Sequence, residues 1–182
     1  MSLEELWQLF PIILTEHRPE WVAWYAEEER LLAEVLPAGA IARIGHIGST
    51  AIGGIWAKPI VDILVEAAEG ADWPAIRTAL CQRAGYICMS EAPGRMSFNK
   101  GYTPDGFAER VFHLHLRAKG DHDELYFRDY LNDHPDVARE YEQMKLALWR
   151  EFEHDRDGYT ERKAEFVRRW TREARRAYAG RY

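Results

Sequence analysis

Arg43-Ile44-Gly45-His46-Ile47-Gly48-Ser49-Thr50 and, after a glycine-containing turn at Gly53-Gly54, Lys58-Pro59-Ile60-Val61-Asp62-Ile63-Leu64-Val65 carry the most structural information in this chain. Each reads as a strand, over Ala40–Ile47 and Pro59–Glu66, because β-branched and other apolar residues recur between turn formers. In the second strand, alternation sets Val61, Ile63 and Val65 on one face and Ile60, Asp62, Leu64 and Glu66 on the other. A strand that runs into Gly48-Ser49-Thr50 can offer bare backbone N–H groups and hydroxyls to an anion, since glycine lets a phosphate come close. Read without context, the same residues also fit an ordinary turn. Asp62 stands in the middle of an apolar strand, where a carboxylate is costly to bury alone. It therefore pairs with a cation such as Lys58 or an arginine, or it serves a site.

Outward from this pair the remaining elements follow. Ser2 and Glu5 have the form of a capping box opening a short helix through Phe10. Pro19 suits a first helical position, and Trp21, Tyr25, Leu31, Leu32 and Val35 keep helical spacing until Pro37 and Gly39. Asp72 caps a helix through Ala84 that turns Trp73, Ile76 and Leu80 inward. Two or three strands lie between Tyr86 and Lys119, broken near Pro93-Gly94 and Pro104-Asp105-Gly106. From Asp123 the period is helical: one helix to about Asn132, a second from Pro135 to about Phe152, a third over Tyr159–Tyr178. Strands early and helices late predict an α+β fold, a mixed sheet packed by helices with a helical C-terminal third, in one domain over 1–182.

Composition excludes several classes. Hydrophobic residues at 47% and charged residues at 30% of 182 describe a globular chain, not a disordered one. No apolar run reaches the roughly 20 residues that span a bilayer. The acidic start Met1-Ser2-Leu3-Glu4-Glu5 lacks the pattern of a secretory signal. Cys81 and Cys88 form neither a metal-type nor a redox-type spacing, so a reducing cytoplasm is the expected location. Residues 161–182 hold eight Lys/Arg against three Glu, a local +5, which leaves −11 for the rest of a chain at −6. An acidic body argues against nucleic acid as partner. The basic tail, interleaved with Phe166, Val167, Trp170, Ala174 and Tyr178, reads as a solvated helix face.

Arg110-Val111-Phe112-His113-Leu114-His115-Leu116-Arg117 repeats the alternation seen around Asp62. Phe112, Leu114 and Leu116 share one face; His113, His115 and Arg117 share the other. Residues two apart on a strand stand about 6.6 Å from each other, close enough for two imidazoles to converge on one ligand. Arg128 follows on a helix, and Tyr141 with Lys145 and Tyr159 with Lys163 are i,i+4 pairs that share a helix face.

His46-Ile47-Gly48-Ser49-Thr50-Ala51, Ala57-Lys58-Pro59-Ile60-Val61-Asp62-Ile63, His113-Leu114-His115, Phe127-Arg128-Asp129-Tyr130-Leu131 and the two Tyr/Lys pairs together resemble the GrpB family. The likeness runs over most of the chain. It implies the fold of the DNA polymerase beta-like nucleotidyltransferase superfamily, and a family also found fused to dephospho-CoA kinase. In that superfamily Gly-Ser holds nucleotide phosphates, and an Asp-x-Asp pair on the next strand binds divalent metal, magnesium or manganese. Gly48 and Ser49 match the first element and Asp62 one carboxylate; Leu64 stands where the second acid is expected, and Glu66 is about 13 Å from Asp62 along the strand.

The resemblance implies a metal-dependent transfer of a nucleoside monophosphate from an NTP to an acceptor. Gly48, Ser49, Thr50, Lys58, Arg128, Lys145 and Lys163 would hold the phosphates, with Asp62, His113 and His115 as catalytic and metal-binding residues. Two histidines and one carboxylate would favour a transition metal. The alternative is a non-catalytic module for a nucleotide or other phosphate-bearing small molecule, with coenzyme A metabolism suggested by the fusion. In a third class, an interaction protein, Ser49, Asp62 and His113 would not face one cavity.

Overall fold

The computed structural model describes residues 9–152 and 156–182. The helix expected from Ser2 falls almost wholly outside them. Five strands, β1 Ile41–Ile47, β2 Val61–Ala67, β3 Ile87–Ala92, β4 Arg95–Thr103 and β5 Gly106–Arg117, form one mixed sheet in the order β1-β2-β5-β4-β3. The central pair β2/β5 is parallel and the other neighbours are antiparallel. The described helices are α1 Glu20–Val35, α2 Trp73–Arg83, α3 Asp123–Asp133, α4 Pro135–Glu151 and α5 Arg156–Ala177.

Local chemistry sets these bounds. Asp72 Oδ1 accepts the Ala75 N–H at 2.9 Å, with Pro74 in the first turn, and so starts α2. Pro135 opens α4 directly after His134 ends α3. β4 slips register against β5 between Lys100 and Tyr102, where Gly101 has a φ of 92° and no room for a Cβ against the Arg110 carbonyl.

Period-2 patterning splits the sheet into two unequal faces. Val61, Ile63, Val65, Leu114 and Leu116 are all fully buried and pack on Trp21 and Leu32 of α1 and Ile76 and Leu80 of α2. Each such side chain contributes about 1.5–3 kcal/mol on leaving water, so this layer is the principal core. The other face is covered in part: Leu64, at 0% exposure, packs with Ile47 and with Leu125 of α3. Near the start of β2 the same face opens beneath α4 and α5, and there the parallel register sets Asp62 beside His113 and Leu64 beside His115.

Candidate functional site

β1 ends at Ile47 and delivers the chain into Gly48, whose backbone (φ 72°, ψ −173°) is open to glycine but not to L side chains. A single 3₁₀ turn, Ser49–Ala51, follows. A Cβ on Gly48 would stand 2.5 Å from Asp62 Oδ2, so glycine is required here by both conformation and space. This close approach brings Ser49 and Asp62 to the same mouth. They open onto a cavity of about 330 Å³ lined also by Lys58, His113 and His115, with Tyr141 and Lys145 from α4 and Tyr159, Thr160 and Lys163 from α5.

At its floor, His115 Nε2 lies 3.3 Å and His113 Nδ1 3.7 Å from Asp62 Oδ1. His113 Nε2 is in turn 2.7 Å from the Tyr102 hydroxyl, across the β4/β5 ladder. Burial works against ionising Asp62, but the His115 hydrogen bond and the charges of His113, His115 and Lys163 outweigh it and hold the carboxyl below the usual range.

At its wall, Lys145 occupies the inward stripe of α4 formed by Val137, Ala138, Tyr141 and Leu148, and is itself only 2% exposed. Its ammonium donates to Ser49 Oγ at 3.0 Å and to the Trp56 carbonyl at 2.5 Å, and lies 4.6 Å from the Tyr141 ring centre. Desolvation, assisted by the neighbouring charges of Lys163 and Lys58 and opposed by Glu142, lowers its pKa to about 7. Lys58 Nζ sits 4.4 Å over the Tyr159 ring and Lys163 Nζ 5.9 Å from it. Three lysines thus converge on one hydroxyl and one carboxylate, an arrangement suited to a polyanion.

Two residues expected at the site are elsewhere. Thr50 is buried at 1% exposure and its Oγ1 meets His46 Nε2 at 2.9 Å, so its hydroxyl serves the packing beneath the turn and not the cavity. Arg128 does not line the cavity: its guanidinium donates to the His46 carbonyl at 2.8 Å, to Asp129 at 2.8 Å and to the Tyr182 hydroxyl at 2.9 Å, which ties α3 to β1 and the C-terminal residues. Glu66 is also spent in structure, held by His122 at 2.9 Å, the Gly120 N–H at 2.8 Å and Arg43 at 3.2 Å. Conversely, Thr160 and Tyr102 were not expected. Thr160 is one position beyond Tyr159 and three before Lys163, a spacing visible in the sequence. Tyr102 depends on a β4/β5 register that includes a bulge, which the sequence does not show.

The superfamily's pair of divalent ions needs two acids, and the residues present do not fit it. Leu64 fills the second position inside an apolar cluster. Asp62 is the one carboxylate lining the cavity among the described residues. Among the described residues, no group of three or more His, Cys, Asp and Glu side chains is arranged to hold an ion. Asp62 is hydrogen-bonded to His115, and His113 stands beside the pair at 3.7 Å.

Comparison with known proteins places this geometry. A protein of Pseudomonas aeruginosa in the UPF0157 group is 40% identical over 154 residues, covering 83% of this chain, which spans only 62% of that relative's length. The crystal structure of the conserved protein GrpB from Enterococcus faecalis superposes with a TM-score of 0.78 at 30% identity, covering 91% of this chain and 99% of that one. The Cid1 poly(U) polymerase, solved with MgGTP, matches with a TM-score of 0.52 at 12% identity over 74% of this chain and 43% of its own, a likeness of fold. The family described as GrpB protein matches residues 11–173. On that match and on its fold, the chain belongs to the GrpB family.

Proposed function

We propose that this cavity binds the polyphosphate of a nucleoside triphosphate and that the protein transfers the nucleoside monophosphate to an acceptor. The observation that supports this reading is the convergence of Ser49, Lys58, Lys145, Lys163, Asp62, His113 and His115 on one hollow. Ser49 and the lysines bind and neutralise the β- and γ-phosphates, the electrostatic stabilisation that phosphoryl transfer chiefly needs. The acceptor oxygen bonds to the α-phosphorus as the α–β bridging P–O bond breaks. Pyrophosphate leaves into the lysine cluster, and the acceptor's proton passes to the Asp62–His115 pair.

A second reading, a module that binds nucleotide without transferring it, is favoured by one observation: Leu64, fully buried, stands where the superfamily places its second acid. Pyrophosphate release from ATP, GTP, CTP and UTP, with magnesium, manganese or zinc and a panel of phosphate and hydroxyl acceptors, separates the two. Turnover abolished by Asp62→Ala supports the transferase. Nucleotide binding that survives Asp62→Ala with no turnover supports the module, and no binding at millimolar nucleotide contradicts both.

A further inference from the structure

A second cavity, of about 730 Å³, adjoins the first and shares Gly48, Asp62, His115, Tyr141, Thr160 and Lys163 with it. Its floor is apolar, from Ile47 at the end of β1, Phe127 of α3 and Val167 of α5. Its rim is charged, but most of that charge is already paired: Arg95 with Asp121 at 2.8 Å, Arg175 with Asp123 at 2.9 Å, and Glu124 with Arg117 at 3.0 Å. Arg168 and Arg172 are different. They lie one helical turn apart on the cavity side of α5, and neither has a carboxylate or hydrogen-bond partner among the described residues.

We propose that this cavity is the acceptor subsite and that the acceptor is an organic phosphate with an apolar or aromatic body. The inference rests on the reading of the first cavity as the polyphosphate site. Arg168 and Arg172 form a two-guanidinium clamp whose planar donors match a phosphate. The apolar floor takes the body of the molecule, and the shared Asp62–His115 pair lies between the two anionic ends. A neutral nucleoside brings no negative charge to offset the two unpaired guanidinium groups, whereas an organic phosphate does. This separates an acceptor from the base and sugar of the NTP itself. In the reaction, a phosphate oxygen or hydroxyl of the acceptor bonds to the α-phosphorus, pyrophosphate departs, and any acceptor proton goes to the Asp62–His115 pair.

The test uses the full chain with two probes, inorganic tripolyphosphate for the first cavity and 1-naphthyl phosphate for the second, each titrated by calorimetry. Naphthyl phosphate is expected to bind in the presence of saturating tripolyphosphate. The exposed double variant Arg168→Ala/Arg172→Ala is expected to weaken it at least tenfold while changing tripolyphosphate and ATP affinity less than twofold. Naphthyl phosphate binding that the double variant leaves unchanged, or that tripolyphosphate displaces, overturns the proposal. So does a tenfold loss of ATP affinity with tripolyphosphate unaffected, which would give the cavity to the nucleoside. Arginine-dependent binding of naphthyl phosphate to a protein that takes no tripolyphosphate would instead overturn the polyphosphate reading and leave the second site standing.

Discussion

Gly48 and Asp62 lie so close that a Cβ on the glycine would stand 2.5 Å from the carboxylate oxygen. One backbone atom without a side chain lets the Gly48-Ser49 turn after β1 and the acid of β2 share a wall. The glycine is thus part of the site as well as of the turn.

Gly48→Ala should therefore do more than strain the backbone. Gly54, with a φ of 76° and open space around it, supplies the comparison. Gly54→Ala should cost about 1 kcal/mol from its left-handed conformation alone. Gly48→Ala should cost clearly more, and should drive Asp62 away from His115. Urea denaturation of both variants, with nucleotide turnover alongside, checks this. Equal losses of stability and unchanged turnover would mean that the close approach is of no consequence.

If the cavity takes a polyphosphate as proposed, Lys145 should give that binding a pH dependence. Its pKa in the free protein is about 7, and a bound phosphate, by its negative charge, raises it. Above pH 7 binding must then take up a proton, so tripolyphosphate affinity falls as pH rises, by up to tenfold per unit. Below pH 7 the lysine is already charged and contributes no slope. Lys145→Met should bind more weakly and lose this part of the slope. A calorimetric pH series on both proteins is the measurement, and a wild-type affinity constant from pH 7 to 9 would contradict it.

His46 makes the fold acid-sensitive. It stacks on Tyr25 at 4.7 Å and lies beneath the turn, where burial first, then the charges of Arg128 and His17, lower its pKa from 6.5 to about 4 against the pull of Asp62. Between those values the unfolded chain binds a proton that the folded chain refuses, so stability is lost as pH falls through this window. The upper bound on the loss is about 3 kcal/mol. His46→Gln, which retains a donor towards Thr50, should show a shallower decline of unfolding free energy from pH 6.5 to 4. A slope identical to wild type would remove His46 as the cause.

Leu64→Asp should not restore two-ion chemistry. The side chain is fully buried among Ile47 and Leu125, so a carboxylate there is desolvated in an apolar cluster and should cost about 3 kcal/mol or more. A lowered denaturation midpoint without magnesium-dependent turnover is expected. A variant as stable as wild type that gains such turnover would show that an acid is tolerated there.

The layered fold was legible because its signals are local. The strands expected over Ala40–Ile47 and Pro59–Glu66 are observed as Ile41–Ile47 and Val61–Ala67, while the alternation at Arg110–Arg117 lies in a strand that begins four residues earlier, at Gly106. The third C-terminal helix starts three residues before the expected Tyr159. The shared hollow of Ser49, Asp62, His113 and His115 was also readable, since strand alternation decides which face each residue takes. Thr50 and Arg128 were misplaced because adjacency to a motif does not fix where a side chain points. Thr50 turns under the 3₁₀ turn to His46, and Arg128 reaches back 82 positions to the His46 carbonyl. The desolvation of Lys145 was a missed signal: a lysine at the fourth position of the stripe Val137, Ala138, Tyr141, Lys145 and Leu148 must lie inside if its neighbours do.

The most direct test of the polyphosphate cavity is calorimetric titration of ATP and of tripolyphosphate into the wild-type protein and into Lys58→Met and Lys163→Met, all confirmed as folded by circular dichroism. Saturable binding of both ligands by the wild type, weakened about tenfold in each variant, is the predicted result. A folded wild-type protein that takes up neither ligand at millimolar concentration, or variants that bind as tightly as it does, would contradict the central claim.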